Sequence, residues 1–298
     1  MTWRVIDASG LSGSVSYRRG QLLIQPAEQE PTAIPLAEIQ MVLVGTRATI
    51  SGAALLKLSE LGIPLTVVNW RCIPVGTSFG WGKHSRVGAR QRSQAEMSLP
   101  RRKSAWAAII REKSHNQSLV LESLGRHTDH QMLAQLCRSV RSGDPDNREG
   151  QAARFYWKRL GFDEGFVRDQ CATDCYNVAL NYGYTILRGT MIRAVVEAGL
   201  WPSIGIFHHG RGNAFSLADD LMEPFRPVVD RAVVECGKNF SIEDSVVKSR
   251  IAGVLQEQFG EGGQSVDTSV IELARTFGMY AEGELKKLPI PRWQGPIP

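Results

Sequence analysis

Over the first 75 residues the apolar positions come in short runs punctuated by turn formers. Residues 14–17 and 21–24 flank Arg18-Arg19-Gly20, where glycine is available for a positive φ, and residues 41–44 and 65–68 are compact aliphatic runs that predict buried strands. Between the last two, Ala54, Leu55, Leu58 and Leu61 recur at helical spacing. Ser51 is placed to cap that helix and Gly62-Ile63-Pro64 to end it. Turn and strand signals continue through Pro74, Gly76 and Gly80.

From residue 98 the period changes from two to 3.6. Ser98 and Pro100 precede an amphipathic pattern through Trp106, Ile109, Ile110, Leu119 and Leu121 that stops at Gly125. Asn147 precedes a second helical pattern holding Ala152, Ala153, Phe155, Tyr156 and Leu160. A long helix is predicted over residues 172–198, ending at Gly199, with Asp174, Asn177, Asn181 and Tyr182 forming a polar seam that the neighbouring tyrosines mark as buried. Ser241 with Asp244 predicts a capping box for a helix ending near Phe259, and a last helix is expected over residues 269–284. The pattern therefore predicts an α+β chain: a small N-terminal β-rich domain at residues 1–75, a linker at 76–90 and a larger all-α domain at 91–298.

Composition narrows the class. With 43% hydrophobic and 22% charged residues, the 298-residue chain is neither disordered nor fibrous. No apolar run approaches the roughly 18 residues of a membrane span, and the start reads Met-Thr-Trp-Arg rather than a charged leader with an apolar core, so a cytoplasmic protein without membrane contact is expected. Five cysteines without CxxC spacing point to reduced core thiols. The net charge is +5, and residues 83–113 hold nine cations against two acids, more than the whole excess. Such clustering suits a phosphate backbone, with Arg86, Arg90, Arg92, Arg101, Arg102 and Lys103 as the expected contacts to double-stranded DNA. The last three sit at a helix start, where cations oppose the macrodipole. A solvated helix face is the bland alternative.

Residues 205–230 carry the densest polar content. Ser216 is placed to cap a helix from which Asp220 and Glu223, three apart, project on one face, and Pro224 should distort that helix. Neighbouring carboxylates repel unless a cation sits between them, and oxygen ligands suit Mg²⁺ or Mn²⁺. An imidazole from His208 or His209 would favour Mn²⁺. Asp219 is explained by the helix dipole, and so is Glu149, taken singly, in the first turn of its helix. No GxGxxG, P-loop, GxSxG or HExxH is present.

Glu149-Gly-Gln-Ala-Ala-Arg-Phe-Tyr-Trp, Asn177-Val-Ala-Leu-Asn-Tyr-Gly-Tyr, Ala198-Gly-Leu-Trp-Pro and Leu217-Ala-Asp-Asp-Leu-Met-Glu-Pro-Phe-Arg-Pro, in this order and spacing, resemble CRISPR-associated protein one, the spacer-acquisition integrase, and its type II branch most. The resemblance implies a helical catalytic domain and a metal-dependent DNA integrase and endonuclease. It implies that Glu149, His208 and Glu223 are both catalytic and metal ligands for Mg²⁺ or Mn²⁺, with Asp220 alongside to orient His208. It also implies a homodimer through the β-rich domain, bridged by CRISPR-associated protein two and served by the RNA-guided effector nuclease. The rival class is a non-catalytic architectural DNA-binding protein whose acids only cap helices.

Overall fold

The computed structural model describes residues 4–71, 73–78, 80, 84–208, 210–260 and 262–295. Cys72, Lys83 and His209, each singled out by the sequence, lie outside them. The chain divides into two compact units, Met1–Gly82 and Lys83–Pro298. The first holds β1 (Arg4–Ala8), β2 (Gly13–Arg18), β3 (Gln21–Pro26), β4 (Thr32–Pro35), β5 (Ile39–Val44), β6 (Ala48–Ile50), α1 (Gly52–Glu60), β7 (Leu65–Val68) and β8 (Pro74–Ser78). One sheet has the order β1-β5-β7-β8, with β1, β5 and β7 parallel and β8 antiparallel. The other has the order β4-β3-β2-β6, an antiparallel meander with β6 parallel to β2.

The four strands expected from compact apolar runs are the inner ones, β2, β3, β5 and β7; the strand signals from Pro74 onward fall on the edge strand β8, and the other three edges, β1, β4 and β6, carried no signal. Inner strands bury both neighbours' apolar groups and so carry a pattern: β5 is buried at every position, whereas β4 and β6 are half-exposed throughout. The β2–β3 turn is tight because Arg19 (φ 48°) and Gly20 (φ 84°) both adopt the left-handed conformation that matches the twist of a two-residue hairpin. Ser51 Oγ accepts from the Ala54 N–H at the start of α1, as its position predicts.

The second unit is helical: α2 (Val87–Ala95), α3 (Leu99–Ser123), α4 (His127–Arg138), α5 (Arg148–Trp157), α6 (Cys175–Glu197), α7 (Ser216–Leu221), α8 (Arg226–Val234), α9 (Ser245–Gly253) and α10 (Val266–Ala281). The expected linker at 76–90 is thus corrected. Its start lies in β8 and its end in α2, whose buried face is polar: Arg90 donates to the Ala198 carbonyl and Gln94 to those of Trp201 and Ile204. A helix buried through polar side chains has no apolar period to read.

Two helix starts also differ from expectation. Asp244 alone caps α9, its carboxylate accepting from the Val246 N–H, while Ser241 closes a turn on Glu243. α10 begins at Val266 because Ser265 accepts from the Thr268 N–H. Of the seam expected on α6, Asn177, Asn181 and Tyr182 are buried, whereas Asp174 is exposed and caps the helix; Asn177 and Asn181 grip the preceding loop through Arg168 and the Val167 and Gln170 carbonyls. α6 and α8 touch closely at Gly183, where a Cβ would lie 2.4 Å from Val229 Cγ1. Of the described cysteines, all free, only Cys137 is buried and Cys171 is exposed, so core packing does not account for them as a group. Among the described residues no helix is long and apolar enough to cross a membrane.

Candidate metal-binding site

The site grows from one stripe of α3. Trp106, Ile109, Lys113, Asn116 and Val120 follow helical spacing, so the lysine and asparagine are carried into the interior with the apolar residues. Lys113 Nζ lies 2.7 Å from Glu149 Oε1 and 2.5 Å from Glu223 Oε2. Asn116 Nδ2 donates to the Pro224 carbonyl at 2.7 Å, pinning the turn that carries Glu223.

Glu149 is presented by a fully capped helix start. Asp144 accepts from the Arg148 and Glu149 N–H groups, and Asn147, in a left-handed conformation, accepts from that of Gly150. Glu223 follows α7 in a 3-10 turn, Glu223–Phe225, before the chain resumes as α8, which is the distortion expected of Pro224. Arg226 Nη1 pairs with Glu223 Oε1 at 2.6 Å and stacks on the Tyr184 ring at 4.3 Å. Burial by itself would raise the Glu223 pKa. The Arg226 and Lys113 charges outweigh it and hold the carboxyl down at about 2. The Lys113 ammonium is likewise opposed by burial yet raised by Glu223 and Glu149.

Asp220 is completely buried and fixes His208. Its Oδ2 accepts from the Ile206 and Phe207 N–H groups at 2.6 and 2.9 Å, and its Oδ1 lies 2.5 Å from His208 Nδ1. An ionised carboxylate only accepts, so Nδ1 carries the proton and Nε2 keeps its lone pair for a ligand. The hydrogen bond to Asp220 raises the His208 pKa, burial works against it, and the charges of Asp220, Glu223 and Glu149 add to the rise. The loop folds this tightly because residue 205 is glycine: a Cβ there would lie 2.4 Å from the His208 carbonyl oxygen. The expected cap at Ser216 is corrected. Phe215 holds that position and Ser216 Oγ instead donates to the Asn213 carbonyl. Asp219 is more than a dipole residue, since Arg188 grips it through two nitrogens at 2.6 and 2.9 Å.

The structure thus gathers Glu149 and Glu223 on one ammonium and His208 on Asp220, with the charges of both glutamates felt at the imidazole. Among the described residues no three histidine, cysteine or acidic side chains are drawn together closely enough to hold an ion as they stand. The donor set nevertheless fits a divalent cation. It offers two carboxylates and an imidazole nitrogen, and among the described residues buried Glu223 Oε2 has an ion-pair contact with the Lys113 ammonium but no hydrogen bond.

The expected DNA contacts separate into two groups. Arg90 is buried and bound to Glu282 and the Ala198 carbonyl; Arg101 donates to the Tyr280 and Leu285 carbonyls and lies 4.1 Å over the Tyr280 ring. Arg86 pairs with Glu282 and Glu284, and Arg102 donates to the Ala95 carbonyl. These arginines fasten α2 and α3 to their neighbours, a structural role that their placement against the macrodipole did not suggest. Arg92 and Lys103 are exposed. The residues sequence reasoning missed in the site are Lys113, Asn116 and Arg226. The signal for the first two was available, for both interrupt an apolar stripe at the spacing of its members.

The family model for CRISPR associated protein Cas1 matches residues 11–259. The CRISPR-associated endonuclease Cas1 of Neisseria meningitidis serogroup C is 36% identical over 235 residues, 78% of this chain and 76% of the relative. In three dimensions the chain is similar to a casposase bound to integration product (TM-score 0.77, 20% identity, 97% of this chain and 92% of that one). It is similar as well to a chain of a Cas6-RT-Cas1–Cas2 complex (TM-score 0.76, 17% identity, 98% of this chain and 36% of that one). At such identities the structural matches speak for the fold, in which a strand-rich part precedes a helical one. The match over most of its length, with the curated relative beside it, means that this chain belongs to the Cas1 family.

Proposed function

We propose that the protein is a divalent-metal-dependent DNA integrase and endonuclease that inserts foreign DNA fragments into a CRISPR array. The observation that carries this reading is the meeting of Glu149 and Glu223 at one cationic point, beside an imidazole whose Nε2 is left free by Asp220. In the transesterification, the 3′-hydroxyl of a fragment gives up its proton as its oxygen forms a new bond to phosphorus at the array. The P–O3′ bond of the array strand breaks, and the released 3′-oxygen takes up a proton. Glu149, Glu223 and His208 would hold Mg²⁺ or Mn²⁺, which supplies positive charge to the phosphate oxygens when bound. Asp220 keeps the imidazole oriented, and Arg226 and Asn116 keep the Glu223 turn in place. Exposed Arg92 and Lys103 are the cations of the basic segment best placed for duplex backbone. The homodimer, the partnership with Cas2 and service by the RNA-guided effector nuclease belong to the same proposal, supported by the family.

The test is strand joining into a supercoiled plasmid that bears a repeat array, with each divalent ion withheld in turn. His208→Ala is expected to abolish joining while DNA affinity stays near wild type, because phosphate neutralisation dominates affinity. Joining that persists in EDTA or in Glu223→Gln would refute the metal-dependent reading, and DNA binding with no joining in any divalent ion would favour the architectural DNA-binding reading.

A further inference from the structure

Lys113 stands where the sequence offered no cation for this site. Its ammonium touches carboxylates that are 74 positions apart in the chain, at 2.7 Å to Glu149 and 2.5 Å to Glu223, and its side chain is only 12% exposed. One ammonium therefore bridges a buried carboxylate, Glu223, and a partly exposed one, Glu149, at the point where they come together. Arg226 covers the other oxygen of Glu223, so Lys113 is the group that joins the α5 and α7–α8 sides of the site. A second cation bridging the same two oxygens would meet the ammonium at a few ångströms in a medium that screens poorly, which both cannot tolerate. The lysine stem is four methylenes long and rotatable, so its ammonium can withdraw without movement of α3, unlike a guanidinium held in a planar fork.

Resting on the metal-binding reading given above, we propose that Lys113 is the resident counter-ion of the metal-free site. It holds Glu149 and Glu223 together before the metal arrives, and a divalent cation enters by displacing its ammonium from both carboxylates. Lys113 is then a positioning residue and a competitor at once. It keeps the two acids assembled, and it sets a threshold below which divalent ions do not occupy them.

The experiment compares the full-length wild type with Lys113→Met, which keeps the stem and removes the charge. Mn²⁺ affinity is measured by calorimetry and by the electron paramagnetic resonance signal of free Mn²⁺, and thermal unfolding is followed in EDTA and in saturating Mn²⁺. The variant is expected to bind Mn²⁺ at least tenfold more tightly, to unfold at a lower temperature in EDTA, and to gain more from Mn²⁺ than the wild type does. Lys113→Gln, neutral but still able to donate, gives the same affinity comparison should the methionine variant not fold. Equal or weaker Mn²⁺ binding by the neutral variant would overturn the inference and leave the metal reading standing. Failure of both proteins to take up Mn²⁺, with Glu149→Gln no different, would overturn the metal reading and this inference with it.

Discussion

At the scale of single residues, two buried carboxyls pull the pH dependence of stability in opposite directions. Glu223 is held at about 2 against a usual 4.5, so an unfolded chain takes up this proton while the folded one resists. Its contribution, about 3 kcal/mol, is complete above pH 4.5 and is lost as pH falls towards 2. Asp230 is pushed up to about 6 from 3.8 by burial, against the Tyr184 hydroxyl bond and the Arg226 charge. An unfolded chain releases that proton first, so stability falls as pH rises from about 4 to 6. Urea unfolding across pH should show this. Relative to Asp230→Asn, the wild type gains stability from pH 6 down to 4; relative to Glu223→Gln, it loses stability below pH 4.5. Curves that run parallel throughout would refute the assignment of either group.

At the scale of elements, α3 is the organiser, and Asn116 is its most economical test. Asn116→Ala removes the donor to the Pro224 carbonyl, leaving a buried acceptor unmet at a cost of about 1–3 kcal/mol, and loosens the turn that carries Glu223. Denaturant unfolding should register the loss and strand joining should fall with it; full joining at reduced stability would mean that the turn holds itself. The inner strands, α1 and the long helix α6 were legible because apolar runs or apolar positions at helical spacing lie between clear start and stop residues, even where, as in β5 and α6, nearly every side is buried. The edges β1, β4 and β6 and helix α2 were not, since these edges bury little and α2 buries Arg90 and Gln94. In the site, Asp220 and Glu223 stood out as a polar cluster beside His208 or His209, and the choice of His208, like Glu149, entered through resemblance. Lys113 was counted with the surface cations, because a charge total cannot tell which face of a helix a lysine occupies.

At the scale of the whole molecule, the basic segment does two jobs that its composition merges. Arg101→Gln is expected to lower stability, since it empties the bonds to the Tyr280 and Leu285 carbonyls at the end of α10, and to leave the salt dependence of DNA binding unchanged. Arg92→Gln and Lys103→Gln should leave stability alone. Each should make the slope of log affinity against log salt shallower by about 0.9 if it meets one duplex phosphate. Titrations at several salt concentrations separate the two roles, and identical slopes for all three variants would return the segment to a solvated face. The N-terminal unit has its own buried core of Val15, Leu22, Val42 and Leu65 and keeps four sheet edges of its own. Dimerisation through it predicts that the full chain sediments as a dimer and that removal of residues 1–82 leaves a monomer.

The aromatic corner around His208 gives the protein an optical gauge. Trp106 is buried, stacks parallel on Phe207 at 4.4 Å and meets the His208 ring edge-on at 5.5 Å. Protonated imidazole quenches a neighbouring indole, so the emission of Trp106 should dim as His208 takes up its second ring proton, with a midpoint above 6.5 because Asp220 raises that pKa. The dimming should vanish in both Trp106→Phe and His208→Gln. The ionisation of a single ring can then be followed by light, in solution and in real time, without a label.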